Sequence, residues 1–278
     1  MPSVATGSGS TVFARAISAV RGTIFLLAYG LFTVLIFDLG TRLAVWPAVH
    51  LFPNRRRRII GGWFYFLGNA TLAMARAIVG VRVVRRGRLP AESCVVVMNH
   101  QSLLDVPLAA SSVRGTQIVI PTRDRYRRWI PGVSPIGRLS GFPYLSQRAQ
   151  ASRAEISSLT KAAEDCERGE TTLVIYPEGH RTRDGQVEPF MKNGLRLILK
   201  RTTRPVYLLV SDNMWRSRTL SDMVVRFAGT TIPLVAVGPI ARPEGQSLDE
   251  FIDQLHARLI DALAEIRQPP LDLPAGVA

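Results

Sequence analysis

The chain has 278 residues, of which 47% are hydrophobic, which is enough to bury a full core and excludes an intrinsically disordered protein. Its 35 basic and 21 acidic residues give a formal charge of +14, which favours an anionic partner: nucleic acid, anionic lipid or a phosphorylated substrate. Two cysteines and four histidines suggest neither a disulfide framework nor a zinc site, so we expect no metal.

The N-terminal region predicts a tail followed by a membrane anchor. Residues 1–10 are small and polar, which is typical of a disordered tail. Residues 22–37 carry no charge, and a second apolar stretch, residues 61–81, follows the arginine run 55–58. As a helix, the first stretch would span about 24 Å, slightly less than a bilayer crossing needs. We therefore predict an apolar helical membrane anchor over residues 11–80.

The charges around this anchor leave two topologies open. Arginines flank the first apolar stretch on both sides, so both ends are expected to stay cytoplasmic. We favour a re-entrant or interfacial helical hairpin in the inner leaflet, with a single full crossing as the alternative. A cleaved signal peptide is disfavoured because the run is long and lacks a clean small-x-small site. The arginine run 55–58 is expected to contact anionic headgroups rather than to form a solvated linker.

After the anchor, short apolar segments alternate with helical stretches. Two helices begin at capping boxes, one over residues 152–168 and one from Ser247 onward. The alternation predicts an α/β domain over residues 81–278 with a mostly parallel sheet flanked by helices. Seven segments are candidate strands: Val81–Arg85, Cys94–Met98, Gln117–Ile120, Phe142–Ser146, Thr172–Tyr176, Val206–Val210 and Met223–Phe227.

The first polar segment of chemical interest follows the candidate strand Cys94–Met98. It places His100 and Asp105 at the carboxyl end of a strand, where open α/β sheets bind ligands. A histidine oriented by a carboxylate can take a proton from a hydroxyl at neutral pH, so the pair is a candidate general base. Ser102, between them, is either the nucleophile of a Ser-His-Asp triad or a helix cap. The alternative for the pair is a loop histidine and a first-turn acid favoured by the helix dipole.

A second polar segment, Tyr176–Thr182, follows another apolar strand in the same way. In this order, Asn-His-x-x-x-x-Asp and Tyr-Pro-Glu-Gly-x-Arg-Thr resemble the first and third signature blocks of the glycerolipid acyltransferases. Residues 141–148 resemble the second block, and residues 190–194 match the stretch after the third. Two departures are visible: Gln147 replaces an acidic residue, and the fourth block is reduced to residues 204–210. The resemblance is closest to the 1-acyl-glycerol-3-phosphate acyltransferases.

The resemblance implies a glycerol-3-phosphate acyltransferase-like fold and a membrane-associated O-acyltransferase of phospholipid biosynthesis. It implies that an acyl chain moves from acyl-CoA or acyl carrier protein to the free hydroxyl of 1-acyl-glycerol-3-phosphate, giving phosphatidate. His100 would deprotonate the hydroxyl, Asp105 would stabilise the imidazolium, and no acyl-enzyme would form. The thioester is a co-substrate, and no cofactor is expected. Because such a thioester is found inside the cell, we expect the catalytic domain on the cytoplasmic side of the inner membrane.

The resemblance also assigns the acceptor-binding residues. Arg148 would bind the phosphate, while Glu178, Gly179 and Arg181 would hold the glycerol phosphate. Arginine suits this role because its planar fork binds phosphate oxygens bidentately. The alternatives are a solvated Arg148 and an ion pair between Glu178 and Arg181 that stabilises the turn.

The segment 122–129 contains four arginines and two aromatic residues. Such a composition could grip nucleic acid, or it could form an interfacial rim whose arginines contact lipid or coenzyme phosphates. We expect the rim, near the substrate entrance, and membrane phospholipid rather than nucleic acid as the partner. Two alternatives remain for the whole chain: the same chemistry on a different lysolipid, and a noncatalytic basic protein that binds membranes or nucleic acid.

Overall fold

The structure, a computed structural model, describes residues 8–146 and 151–268. Its strands are β1 (Arg82–Arg86), β2 (Val95–Met98), β3 (Gln117–Val119), β4 (Thr122–Arg123), β5 (Tyr144–Leu145), β6 (Thr171–Ile175), β7 (Val206–Ser211) and β8 (Thr231–Ile240). Six of them form one sheet in the order β1-β8-β7-β2-β6-β3, while β4 pairs with β5. All pairings are parallel except that of β7 with β8. The predicted mostly parallel sheet is therefore confirmed.

The helices flank this sheet or precede it. They are α1 (Ser8–Phe32), α2 (Trp46–Leu51), α3 (Arg56–Val79), α4 (Asp105–Ala110), α5 (Val133–Ser140), α6 (Arg153–Glu167), α7 (Lys192–Leu199), α8 (Leu220–Arg226) and α9 (Leu248–Arg267). The two predicted capping boxes are present at the starts of α6 and α9. Each box satisfies two backbone N–H groups that the first helical turn leaves without partners.

The core lies around β2 and β6. Every residue of both strands is buried, as expected for parallel strands that are covered on both faces. β2 pairs with β6 on one side and β7 on the other, so it occupies the interior of the sheet. The loops that follow β2, β6 and β7 therefore meet at one edge of the sheet.

The structure differs from the sequence prediction near the end of the sheet. The predicted strand Met223–Phe227 is wrong, because these residues lie in α8 and the residue after it. A capping box formed by Thr219 and Asp222 begins that helix. The strand β8 was not predicted at all, since Pro233 and the Gly238–Pro239 pair are unusual inside a strand.

Residues 8–51 form one helical run, the N-terminal helix, in which π-helical turns link α1 to α2. It packs along the α/β domain rather than projecting from it. Gly22 lies directly against the backbone of Val224, and the Phe25 ring lies 5.2 Å from that of Phe227. The helix is therefore fixed to α8 by close contacts.

The opposite face of the N-terminal helix is exposed and apolar. By length and composition, the segment Arg15–Leu51 is sufficient to cross a membrane. Its far end is also attached to the domain, because Trp63 Nε1 donates a hydrogen bond to Thr41 Oγ1 at 2.9 Å. Exposed apolar side chains extend along the run: Ile17, Val20, Ile24, Leu27, Leu31, Val34, Leu35, Ile36, Leu39, Leu43, Trp46 and Leu51.

The second apolar stretch lies in α3 and packs on the α/β domain. Its buried face includes Phe64, Leu67 and Ala75, and α3 contacts both α4 and β3. Gly68 allows this approach, because a side chain there would meet the backbone of α4. This part of the expected anchor therefore lies against the α/β domain. Of the expected tail, residues 1–7 lie outside the described residues, and the helix begins at Ser8.

Candidate active site

The loop after β2 holds the two predicted catalytic residues together. His100 Nδ1 lies 2.8 Å from Asp105 Oδ2. The same oxygen accepts hydrogen bonds from the backbone N–H groups of Gln101, at 2.6 Å, and Ser102, at 2.7 Å. Asp105 is fully buried at the first position of α4, and these three donors fix its carboxylate. An Nδ1–H facing a carboxylate leaves Nε2 as the proton acceptor.

The imidazole of His100 is accessible from the side of Nε2. Its side chain is 21% exposed, and Nε2 makes no hydrogen bond within residues 8–146 and 151–268. The ring of Tyr176 covers one face at a centroid distance of 4.5 Å. The histidine is thus oriented by Asp105, supported by an aromatic ring, and free to take a proton.

Ser102 does not face His100. Its buried hydroxyl donates to the backbone carbonyl of Ser217 at 3.2 Å and accepts from the backbone N–H of Leu104 at 3.4 Å. A nucleophilic serine would instead donate to the histidine that activates it. The geometry therefore favours the structural role for Ser102.

The loop after β6 binds the backbone of His100 on both sides. Glu178 Oε1 accepts from the His100 N–H at 2.7 Å, and the Thr182 N–H donates to the His100 carbonyl at 2.8 Å. The other oxygen of Glu178 accepts from the Glu188 N–H at 2.9 Å. The two blocks that the sequence placed far apart are therefore joined directly.

Glu178 is an unusual carboxyl group because it is buried without a cationic partner among the described residues. Burial, reinforced by the negative charge of nearby Asp105, raises the pKa of Glu178 to about 7. The two backbone N–H donors oppose this rise, since they stabilise the ionised form. The alternative of an ion pair between Glu178 and Arg181 is not formed, and Arg181 Nη1 donates instead to the carbonyl of Arg218 at 2.5 Å.

Gly179 occupies a left-handed backbone conformation, with φ +69°, where a Cβ would collide with Met191. Its carbonyl accepts from Arg123 Nη2 at 2.8 Å. Arg123 therefore contacts this loop directly, and burial together with the charges of Arg125 and Arg181 lowers its pKa. The predicted phosphate ligand Arg148 lies outside the described residues.

Sequence reasoning missed the polar side chains that hold the loop after β2 from the side of β7. Asn99 exchanges two hydrogen bonds with the backbone of Ser211, at 2.8 and 2.9 Å. Gln101 accepts from the Met214 N–H at 3.0 Å and donates to Asp212 Oδ1 at 3.1 Å. Asn99 and Gln101 flank His100 in the sequence, which was the one available signal for their role.

Asp212 connects this network to the last helix. It is buried and accepts from Arg267 Nε at 2.8 Å. Hydrogen bonds from Arg267 and Gln101 hold the pKa of Asp212 low against the opposing effect of burial. No sequence motif indicates that Arg267 has this role.

No cluster of three His, Cys, Asp or Glu residues suited to a metal occurs among the described residues.

Comparison with known proteins finds acyltransferases that are similar to this chain. A family model described as Acyltransferase matches residues 80–211. A 1-acyl-sn-glycerol-3-phosphate acyltransferase from Pseudomonas aeruginosa is 23% identical over 255 residues, which cover 90% of this chain and 93% of that protein. One of the same name from Cocos nucifera is 25% identical, covering 81% of this chain and 72% of the relative. Lysocardiolipin acyltransferase 1 from Danio rerio is 29% identical over a region that covers 63% of this chain and 47% of that protein.

The fold has a solved counterpart as well. The crystal structure of 1-acyl-sn-glycerophosphate acyltransferase from Thermotoga maritima superimposes with a TM-score of 0.71 at 22% identity, covering 92% of this chain and all of that one. The matched family model covers β2, β6 and both signature loops. Residues 80–211 therefore match an acyltransferase domain, and relatives named 1-acyl-sn-glycerol-3-phosphate acyltransferases support an O-acyltransferase over the alternative of a noncatalytic binding protein.

Proposed function

We propose that this enzyme transfers an acyl chain to the free hydroxyl of 1-acyl-glycerol-3-phosphate and so forms phosphatidate. The observation that carries the proposal is the hydrogen bond from His100 to the buried Asp105, which leaves Nε2 available on a partly exposed ring. Relatives named 1-acyl-sn-glycerol-3-phosphate acyltransferases support the choice of acceptor.

In this proposal His100 acts as a general base in a direct transfer. Nε2 takes the proton of the acceptor hydroxyl while its oxygen attacks the carbonyl carbon of an acyl thioester, from acyl-CoA or acyl carrier protein. An ester C–O bond forms, the C–S bond breaks, and the imidazolium returns its proton to the departing thiolate. Asp105 stabilises the imidazolium and holds its orientation. Because the Ser102 hydroxyl is used by Ser217, the loop supplies a base and no nucleophile.

Cationic side chains near the loop fit an acceptor phosphate. Arg123 and Arg181 each use one guanidinium nitrogen on a backbone carbonyl, which leaves further N–H donors for phosphate oxygens. We propose that they bind the glycerol phosphate together with Arg148. The carboxylate of Glu178 is used by two backbone N–H groups, so we assign it a positioning role on His100 rather than contact with substrate.

The N-terminal helix supports attachment to one leaflet. It contacts the α/β domain at Gly22, Phe25 and Thr41, while its other face exposes apolar side chains. A helix fixed along its length to a polar domain can embed its free face without crossing the bilayer. We therefore propose an interfacial anchor at the inner membrane, with the catalytic domain on the cytoplasmic side.

A second acceptor deserves a parallel test. The relative from Danio rerio is named a lysocardiolipin acyltransferase and is 29% identical over the matched region. A different phosphate-bearing lysolipid would use the same base and the same cationic side chains. The two candidates therefore differ in the acceptor and share the chemistry.

The experiment is transfer of a labelled acyl group by detergent-purified protein. Acyl-CoA and acyl carrier protein thioesters are the donors, and 1-acyl-glycerol-3-phosphate and lysocardiolipin are tested as separate acceptors. Wild-type protein is compared with His100→Ala and with His180→Ala, an exposed histidine in the neighbouring loop. We expect phosphatidate from the wild type and the control, and a loss of at least about 100-fold in His100→Ala. Full activity in His100→Ala would overturn the mechanism. Product with lysocardiolipin alone would move the assignment to the second acceptor.

A further inference from the structure

A cleft of about 460 Å³ lies where the N-terminal helix meets the start of α3 and the helix α5. Three arginines line it, one from each of these elements: Arg42, Arg56 and Arg138. Trp46 and His50 complete the polar and aromatic wall. Its volume is in the range of small-ligand sites, and none of its lining residues belongs to the two signature loops.

Two of these arginines, Arg56 and Arg138, form no salt bridge within the described part of the chain. Arg42 Nε is paired with Asp38 at 2.7 Å. By contrast, Arg56 donates to the carbonyl of Leu139 at 2.8 Å, and Arg138 donates to that of Arg127 at 3.0 Å. A backbone carbonyl occupies one N–H and leaves the others of each guanidinium available. The cleft is therefore prepared for an anion with several acceptor oxygens, such as a phosphate.

The surroundings of the cleft indicate the source of that phosphate. Leu43 and Leu51 on the same part of the N-terminal helix, and Phe52 directly after it, are at least half exposed, and Trp46 is 55% exposed at the cleft itself. Tryptophan at the boundary between apolar and charged groups is typical of a membrane interface. A soluble phosphate would leave this apolar rim in water, whereas a lipid would cover it with its acyl chains.

We propose that this cleft binds the phosphate headgroup of an anionic phospholipid of the membrane. Arg56 and Arg138 contact the phosphate oxygens, and the acyl chains lie against Leu43, Leu51 and Phe52. The lipid is separate from the substrates at His100, and it fixes the tilt of the N-terminal helix at the membrane surface. This proposal rests on the interfacial anchor proposed above, and it adds a discrete site to it.

The test is vesicle flotation of the full chain with phosphatidylcholine vesicles and with phosphatidylcholine vesicles that contain phosphatidylglycerol. The cleft variant is Arg56→Gln/Arg138→Gln. The matched control is Arg55→Gln/Arg58→Gln, which removes the same charge from two exposed arginines that do not line the cleft. Diffuse attraction to the membrane contributes similarly to every arginine near the surface, so the difference between the variants isolates the cleft.

We expect the cleft variant to lose at least about tenfold more affinity for phosphatidylglycerol vesicles than the control, with unchanged binding to neutral vesicles. Equal losses in both variants, or displacement of the wild type by free inorganic phosphate, would overturn the lipid site and leave the anchor intact. If the wild type bound neither kind of vesicle, the anchor and the site would both fail. If the double variant did not fold, Arg138→Gln alone must still lose about threefold relative to Arg58→Gln.

Discussion

The loop after β2, which carries His100 and Asp105, and the N-terminal helix are both fixed to the same domain, but by different kinds of contact. In the loop, Asn99, Gln101 and Asp105 each make two or more buried hydrogen bonds. The helix is held instead by close packing at Gly22 and Phe25, and its opposite face is exposed and apolar. Buried hydrogen bonds are directional and so fix the positions of the groups that make them. An exposed apolar face requires only that some apolar surface covers it.

This difference sets the scale of the expected effects. Substitutions in the hydrogen-bonded region leave a buried polar group without a partner, which is costly and local. Substitutions on the packed side of the helix change only how closely two elements approach. The expected effects therefore decrease from the loop after β2 to the helix.

Asp105→Asn should cause the largest loss. The amide oxygen of asparagine can still accept from the donors that bind Asp105 Oδ2, but a neutral amide cannot stabilise the imidazolium. We expect acyl transfer to fall by at least about 1,000-fold. The control is Asp124→Asn, since Asp124 also begins a helical turn but is mostly exposed. Steady-state rates for both variants are the measurement, and comparable rates would show that the loop does not need this carboxylate.

The pH dependence of stability should report Glu178. Its pKa is raised to about 7 in the folded chain, so between pH 4.5 and 7 the folded state holds a proton that the unfolded state has lost. Stability therefore falls as the pH rises through this window, by up to about 3 kcal/mol. Chemical denaturation of the wild type and Glu178→Gln at several pH values measures this. The variant should lack that slope, and equal slopes would remove Glu178 as its source.

Arg267→Met tests the connection between the catalytic loop and the last helix. It leaves the buried Asp212 without its cationic partner, and we expect a loss of about 2 kcal/mol in the free energy of unfolding. The control is Arg196→Met. It breaks the exposed pair between Arg196 and Asp249, which lies on α9 like Arg267, and it should cost less than about 1 kcal/mol. Denaturant titration separates the two. Similar losses would mean that the Asp212 network adds little.

Gly22→Ala should have the smallest effect of the four. The added methyl group meets the backbone of Val224, so the helix must shift from α8, at a cost of about 1 kcal/mol. Gly30→Ala adds the same group in open space and should be neutral or slightly stabilising. Thermal unfolding in detergent compares them. A destabilised Gly30→Ala would indicate that the exposed face has a protein partner.

The sequence predicted the parts of the site that follow buried strands and missed those that depend on distant partners. His100, Asp105 and Glu178 could be placed because parallel strands bring their carboxyl ends to one edge. Arg267 could not, since only packing of the last helix brings it to Asp212. The alternative of an ion pair between Arg181 and Glu178 also could not be excluded from the sequence, whereas in the structure backbone groups bind each side chain.

The two errors in the predicted secondary structure, at α8 and β8, each have an identifiable physical cause. The apolar, β-branched run Met223–Phe227 favours a strand, but the capping box that begins at Thr219 commits it to a helix. In β8, Pro233 and Gly238 obscure a strand that is stabilised by pairing with both β1 and β7. Capping therefore overrides the apolar pattern in α8, and pairing with two neighbouring strands overrides the proline and glycine residues in β8.

The most direct test of the central claim is to mix the protein with a labelled acyl thioester without acceptor, quench, and measure the intact mass. The claim is that the loop after β2 supplies a base and no nucleophile, so the protein should keep its unmodified mass and release thiol only after lysophosphatidate is added. An acyl adduct on Ser102, with a burst of thiol before acceptor is present, would contradict it.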